Sequence, residues 1–391
     1  MRVDKTKWEK KTLGQIGKII SGSTPRTDNP LNWEGGIHNW VTPAELKGEK
    51  FYGSTQKKIT DYALSTTKLT LMPVGTVLLS SRAPIGKVAI TTEPMYCNQG
   101  FKNIECNSSV HNEYLYYYLK YNNDELNRRG NGVTFKEISK KIVEQFPIII
   151  PSLNEQQAIA SELDAIQTMI DGYKAQLANL DALAQSIFLD MFGDPVANPK
   201  GWKVSTLENI VTKDCPVAYG IVQPGDEVKD GVPVVRPVDL NSTYVKRLML
   251  KMVSQDISNS YRRTILKGNE ILICVRGTTG IVSFATEELK GCNVTRGIVP
   301  LSFDKQNQWF MFWCIKSTGM NSLIQKLTRG ATLKQINIKD LRQLPIPVPP
   351  IELQEKFGMQ AELIENQKTL LNEQLIDAET LTAERMQYYF S

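Results

Sequence analysis

Apolar side chains recur at Ile159, Leu163, Ile166, Ile170, Tyr173, Leu177, Leu180, Ala184, Ile187 and Met191, in alternating steps of four and three. A repeat of 3.5 residues held over that length is the seam of a left-handed coiled coil. Pro151 and Ser152 mark where such a helix should begin, and Gly193 with Pro195 where it should stop. At 1.5 Å per residue the helix would be a rod roughly 55 Å long. A second, looser stripe follows over 351–390, through Phe357, Ala361, Ile364, Leu371, Leu375, Ala378 and Leu381. Each narrow stripe needs a partner helix, and connectivity predicts that they partner one another antiparallel. The first helix carries the chain away from one globule to another, and the second is only long enough to return. Two unrelated helices on separate globules are the alternative.

The remaining segments mix periods. VGTVLLSS, GKVAITT, FPIII, NEILICV, GIVSF and GIVPLSF read as strands bounded by Gly, Pro and Asn. EYLYYYLKYNNDELNRR and QWFMFWCIKSTGMNSLIQKL read as helices. The halves also repeat. Trp8 to Ile16 lies 194 residues before Trp202 to Ile210, and at the same offset 72–90 falls on 266–284, Arg82 on Arg276 and Gly86 on Gly280. Farther on, 132–153 falls on 330–351, with Thr134 on Thr332, Pro151 on Pro349 and, just beyond, Gln156 on Gln354. A period near 196 is a duplicated module, not a solenoid. The predicted fold is α+β: two similar globular domains, 1–151 and 194–349, separated by two long antiparallel helices, 152–193 and 350–391, forming a pseudo-two-fold symmetric coiled coil. Each globule should hold a mostly antiparallel, curved sheet.

Composition is that of a globular protein, 41% hydrophobic and 22% charged. The net charge of +5 conceals a partition. Lys and Arg exceed Asp and Glu by 21 to 14 in residues 1–151 and by 21 to 13 in 194–349, whereas 152–193 carry one against six and 350–391 three against eight. Basic globules point to a polyanion partner. No apolar run reaches the length of a membrane span, the start is charged, and the six cysteines form no CxxC pair. Reduced thiols, a cytoplasmic setting and no membrane contact are the expectations.

Catalytic motifs are scarce. His38 and His111 are the two histidines, too few for a His-rich metal site, and read as surface or turn residues. There is no GxGxxG, GxxxxGK[ST] or GxSxG, and no Asn-Pro-Pro-aromatic tetrad. Asp214 with Glu227 and Lys229 gives only a forced nuclease pattern. The positive signal is a repeated turn, Ser80-Ser-Arg-Ala-Pro-Ile-Gly86 and Cys274-Val-Arg-Gly-Thr-Thr-Gly280. An arginine leaving a rigid hairpin suits bidentate reading of guanine or a phosphate clamp; an ion pair inside its own globule is the structural alternative. Candidate DNA-binding residues are Arg82, Lys87, Arg128, Arg129, Arg276, Arg296 and Arg329, with Thr134 and Thr332; Arg262 and Arg263 are further basic positions. The tyrosines of 113–121 offer base stacking, although their helical spacing favours a buried face.

Together these features resemble the specificity subunit of Type I restriction–modification systems. The resemblance rests on Trp8 with Leu13-Gly-Gln-Ile16, Ser21-Gly-Ser-Thr-Pro25 with Trp33-Glu-Gly-Gly, Leu78-Leu-Ser-Ser-Arg82 with Gly86-Lys87, Cys97-Asn-Gln-Gly-Phe101, Pro147 to Pro151 with Glu155-Gln-Gln, and Phe188-Leu-Asp-Met-Phe-Gly-Asp194-Pro. In the second half, Asp214-Cys-Pro-Val-Ala stands for the Ser-Thr-Pro turn and Cys292-Asn-Val-Thr-Arg for Cys-Asn-Gln-Gly-Phe. The resemblance implies a non-catalytic DNA reader, each globule binding half of a split target and the helix pair setting the gap. It implies two adenine methyltransferase subunits using S-adenosylmethionine and two restriction subunits using ATP and Mg, with no cofactor in this chain. A stand-alone methyltransferase or nuclease, and a structural coiled-coil scaffold, are the competing readings.

Overall fold

A computed structural model of the chain describes residues 4–82, 84–132, 136–331 and 333–391. Thr134 and Thr332 lie outside the described residues. The chain divides into two compact units, Met1–Tyr173 with Gln374–Ser391, and Lys174–Glu373. Each unit is one α+β module packed on half of each long helix.

The helices run Leu153–Phe192 and Ile351–Phe390, 40 residues apiece. A reciprocal cap starts the first: Ser152 N–H and hydroxyl donate to the Glu155 carboxylate (3.0 and 2.8 Å), and Glu155 N–H returns to Ser152 Oγ. Gly193, at φ +75°, ends it. Within each unit the helices pair antiparallel. In the first, Glu162 meets Arg385 and Tyr389, while Ile166 and Ile170 cluster with Ala378 and Leu375. In the second, Asp181 meets Lys368, and Phe188 packs edge-on against Phe357.

The seam departs from the predicted stripe in three places. Beyond Ala184 the fully buried positions are Phe188 and Phe192 rather than Ile187 and Met191, because the two rings stack into the module core beside Phe310. Leu381 is exposed, and Arg385 and Tyr389, both bonded to Glu162, continue the stripe in its place. Lys368 sits 8% exposed in the seam, tolerated there by the carboxylates of Asp181 and Glu365 at 3.0 and 2.8 Å.

In the first module a five-stranded sheet runs Gly17–Ser21, Lys102–Cys106, Val77–Leu79, Val88–Thr91, Phe51–Tyr52, antiparallel except for the last pair. A smaller sheet pairs His38–Val41 antiparallel with Lys57–Ile59 and parallel with Tyr96–Cys97. Glu9–Thr12 and Pro147–Ile150 form a ribbon leading into the long helix. The tyrosine helix, Asn112–Tyr121, buries Tyr114, Tyr116, Tyr117 and Tyr118. Tyr114 and Tyr118 donate to the carbonyls of Ile149 and Pro147, so these rings are core and not a stacking platform.

The second module repeats the plan: Val282–Phe284, Ile271–Cys274 and Ile298–Leu301 form one antiparallel sheet, Lys251–Val253, Val232–Val235 and Asn293–Val294 another. No strand corresponding to Gly17–Ser21 joins that sheet among the described residues. A single bond, Thr212 N–H to Ser302 O, marks its place, and Pro216 downstream lacks the donor that a ladder needs.

The same buried glutamine ties each long helix to its module. Gln156 accepts from His111 N–H (2.8 Å) and donates to the carbonyls of Ser109 and Pro151. Gln354 accepts from Asn307 N–H (3.0 Å) and donates to Gln306 Oε1 and Pro349 O. His111 and Asn307 each stand at the N-cap of a module helix, so one amide joins two helix starts.

All six cysteines are free thiols and five are buried. Burial raises Cys97, Cys106 and Cys215 to about 12, which leaves them inert. No helix among the described residues is long and apolar enough to cross a membrane.

Candidate nucleic-acid interface

Each module presents the repeated hairpin end. In the first, Ser80 Oγ donates to Pro84 O (2.7 Å) and accepts from Lys87 N–H (2.8 Å), cinching the turn. Gly86 closes it at φ +91°, where a Cβ would lie 1.6 Å from Asn123 Oδ1. Gly280 holds the same φ in the second module. Outside the turn the arginine backbone bridges a second segment: Arg82 to Glu137, and Arg276 to Gln335. Neither guanidinium has an ion pair or hydrogen bond among the described residues, so the alternative of an intramodule carboxylate partner finds no support there. Both side chains are half-buried, which restricts where they point.

Around Arg276 the second module assembles further cations. Arg276 and Arg296 line a cleft of about 280 Å³ with Ile221, Pro237 and Gly297. Arg296 and Arg329 line an adjoining one of about 450 Å³ with Tyr219, Gln335 and Asn337. The Arg296 guanidinium lies over the Tyr219 ring, 5.7 Å from its centre. Tyr219 is itself fixed, its hydroxyl accepting from Gln335 Nε2 (2.9 Å) and Ile338 N–H (3.2 Å). Arg329, 79% exposed, meets Asp340 at 3.5 Å.

The first module differs. Lys87 Nζ donates to the carbonyls of Pro43 and Leu46, each at 2.8 Å, and so braces the hairpin from behind. Arg128 and Arg129 both pair with Glu125 (3.1 and 2.9 Å), and Arg129 also covers the Phe146 ring. The Arg129 hydrogen bond is the largest influence holding the Glu125 carboxyl below its usual value. Beside Arg82 stand Glu137 and Asn131, which the sequence did not single out, and Thr24 and Gln99, which it marked only as parts of family motifs. Glu137 meets Lys102 at 3.5 Å, and Thr24 donates its hydroxyl to Gln99 Oε1. Asn131 bridges Glu137.

The structure does not bring together Asp214, Glu227 and Lys229. Asp214 pairs with Lys267, and Glu227 faces Lys251. His38 bonds Asp61 at 2.7 Å. Among the described residues no group of three or more His, Cys, Asp or Glu converges as a metal site.

The sequence profile of the Type I restriction modification DNA specificity domain matches twice, over residues 5–181 and 199–378. The specificity subunit of the Type I restriction enzyme MjaIX of Methanocaldococcus jannaschii is 30% identical over 398 residues, spanning 93% of this chain and 89% of that one. The chain belongs to the family of Type I restriction–modification specificity subunits. Its role is therefore recognition of DNA, without catalysis of its own. The EcoBI specificity subunit of Escherichia coli is 26% identical over 69% of this chain and 62% of its own length. Among solved structures, the S subunit from M. genitalium superposes with a TM-score of 0.56 at 16% identity, covering 100% and 98% of the two chains. A chain solved in work on assembly and conformational transition of the type I R-M system gives 0.59 at 18% identity, covering 98% and 97%.

Within this specificity subunit, backbone pairing corrects two correspondences drawn between the halves. Gly22 and Gly220 each lie against a strand carbonyl, where a Cβ would come within 2.0 Å of Cys97 O or 2.1 Å of Val294 O. Ser23 N–H and Ile221 N–H bond those same carbonyls. The counterpart of Ser21-Gly-Ser-Thr-Pro25 is therefore Tyr219-Gly-Ile-Val-Gln223, not the segment beginning at Asp214. Parallel pairing likewise sets Val41 on Cys97 and Val235 on Val294. Arg296 thus occupies the place of Gln99, two residues from where the shared Cys-Asn dipeptide put it. Chain deletions shift the offset between halves from 194 to 197 or 198, and short motifs slide within that slack.

Proposed function

We propose that each module reads one half of a bipartite, asymmetric duplex through the face that carries Arg82 or Arg276, and that the two long helices set the unread gap. The recognition modules span 1–151 and 194–349 in this reading, with helices 152–193 and 350–391 as spacers. The observation that carries it is the duplicated hairpin arginine, positioned by a backbone bridge and free of ion pairs among the described residues. Double-stranded DNA is the ligand, contacted by Arg82, Arg276, Arg296 and Arg329. Lys87 and Arg129 brace the first module, and Arg128, exposed beside Glu125, is a further candidate contact. Thr134 and Thr332 follow Asn131 and Arg329 in sequence and are candidates for the same face.

Two modification subunits, adenine methyltransferases using S-adenosylmethionine, dock on the helices, and two restriction subunits using ATP and Mg complete the larger assembly. The relatives' names, specificity subunits of Type I restriction enzymes and a chain from a type I R-M system, support assembly with partner subunits. Methylome sequencing of a host that expresses the chain with its modification subunit tests it. A split motif with two unlike halves is expected, and the chain without the modification subunit should methylate nothing. Methylation by the chain alone, or an unsplit motif, would overturn the reading.

A further inference from the structure

The two reading faces share one backbone plan, so their side chains can be compared slot by slot. Ser81 N–H bonds Gly100 O as Val275 N–H bonds Gly297 O, which sets Gln99 in the slot of Arg296. Arg82 and Asn131 both bridge Glu137, as Arg276 and Arg329 both bridge Gln335. Asn131 therefore matches Arg329, and Glu137 matches Gln335. The hairpin arginine is common to both faces. The three slots around it exchange amide for guanidinium, amide for guanidinium, and carboxylate for amide.

Phosphates are the same in both halves of any target, whereas bases are not. A slot serving the phosphate backbone keeps its cation in both modules; a slot reading bases is free to change its hydrogen-bonding kind. By that criterion Arg82 and Arg276 grip phosphate, and base contacts fall among the variable slots.

The slot of residues 99 and 296 is the best organised of these. Thr24 donates to Gln99 Oε1, which fixes the carboxamide with its Nε2 and a remaining lone pair available. Tyr219, pinned by Gln335 and Ile338, supports the Arg296 fork from one face. Both side chains are thus oriented before any ligand arrives, the requirement for selective bidentate contact. A guanidinium fork matches the two acceptors, O6 and N7, of guanine; a carboxamide matches the donor–acceptor pair, N6 and N7, of adenine.

We infer that residues 99 and 296 are equivalent specificity-determining positions, Gln99 selecting an adenine in one half-site and Arg296 a guanine in the other, with Thr24 and Tyr219 as their positioning residues. This rests on the proposal that these faces meet DNA bases.

The test is methylome sequencing of the assembled modification complex carrying Arg296→Gln, Arg296→Lys, Gln99→Arg or Arg276→Ala. Arg296→Gln should change a single guanine of one half-site to adenine, with discrimination shifting on the order of 10- to 100-fold, and leave the other half intact. Gln99→Arg should do the converse in the other half. Arg296→Lys, which keeps charge but loses the fork, should relax that one letter. Arg276→Ala should lower methylation on every sequence alike and keep the motif. Should Arg296→Gln yield too little methylation to read, competition binding by the Arg296→Lys complex to duplexes differing at that letter decides, and undiminished preference for guanine overturns the inference. An unchanged motif in Arg296→Gln and Gln99→Arg, or equal weakening on all sequences, also overturns it. Failure of the unsubstituted complex to give a split motif would instead remove the functional proposal beneath it.

Discussion

Gln354→Met removes two polar atoms from a site that is 1% exposed while nearly preserving side-chain length and volume. The Asn307 N–H and the Pro349 carbonyl lose their partner; Gln306 can turn its own amide to water. A buried backbone group left unsatisfied costs about 1–3 kcal/mol, and relief from burying the amide offsets about a third of the total for two such groups, leaving about 1–4 kcal/mol. With a urea m-value of about 2 kcal/mol/M, the midpoint of the second unit should fall by about 1 M at unchanged slope. Hydrogen exchange localises the effect, because the Asn307 amide should lose its protection outright while amides in the Ile271–Cys274 strand lose only what the fall in global stability accounts for. Gln156→Met should do the same in the first unit at the His111 amide, with one more carbonyl orphaned, at Ser109 as well as Pro151. A loss under about 0.5 kcal/mol in both variants, with exchange at Asn307 and His111 unchanged, would refute the claim that these amides join helix to module.

Gly22→Ala and Gly220→Ala each push a methyl against a strand carbonyl at 2.0 or 2.1 Å; a loss of about 3 kcal/mol or more is expected, and a wild-type melting temperature in either would contradict it. Burial raises the Glu162 pKa, but hydrogen bonds from Arg385 and Tyr389 outweigh it and bring the carboxyl down to about 2, from an ordinary 4.5. A depressed folded value means that its stabilisation is whole above pH 4.5 and drains away as pH falls towards 2. Urea midpoints across that window should fall less steeply in Glu162→Gln than in the unsubstituted chain, and parallel curves would count against the assignment. Lys368→Ala leaves Asp181 and Glu365 facing one another inside the seam. About 1–3 kcal/mol should be lost, at the low end of a buried pair because Asp181 is half-exposed and keeps Lys316 at 3.6 Å; a neutral result in urea titration would show the seam charge to be solvated.

The long helices were legible because a 3.5-residue repeat states the contact geometry directly: Ile159, Leu163, Ile166 and Ile170 need no tertiary information to be placed. Lys368 was not legible, since nothing in the string separates a lysine that stretches between two carboxylates from one in water. Phe188 and Phe192 escaped for a related reason. They serve the module as much as the partner helix, and the stripe turns where the module core takes over. At the proposed reading face the hairpin arginines stood out because strand, turn and glycine lie together in sequence. Glu137 and Gln335 did not, because a backbone bridge brings them in from segments remote in the chain; Gln99 was visible only as one residue of a family motif, without the register that sets it beside the hairpin.

An internal duplication carries its own control experiment. Positions that the halves share perform tasks that any target demands: Gln156 and Gln354 join helix to module, Gly22 and Gly220 admit a strand carbonyl, Gly86 and Gly280 close the hairpin, Arg82 and Arg276 crown it. Were the two faces meant for the same sequence, nothing physical would separate the slot of Gln99 from that of Arg296, since the strands beneath them pair in the same register. The separation is instead one of hydrogen-bonding kind, neutral amide against cationic fork, on identical backbone support. Drift among solvated side chains would not have equipped each variant with its own brace, a threonine hydroxyl on Gln99 and a pinned tyrosine ring under Arg296. Separate bracing of unlike groups in one slot is what two different half-sites require.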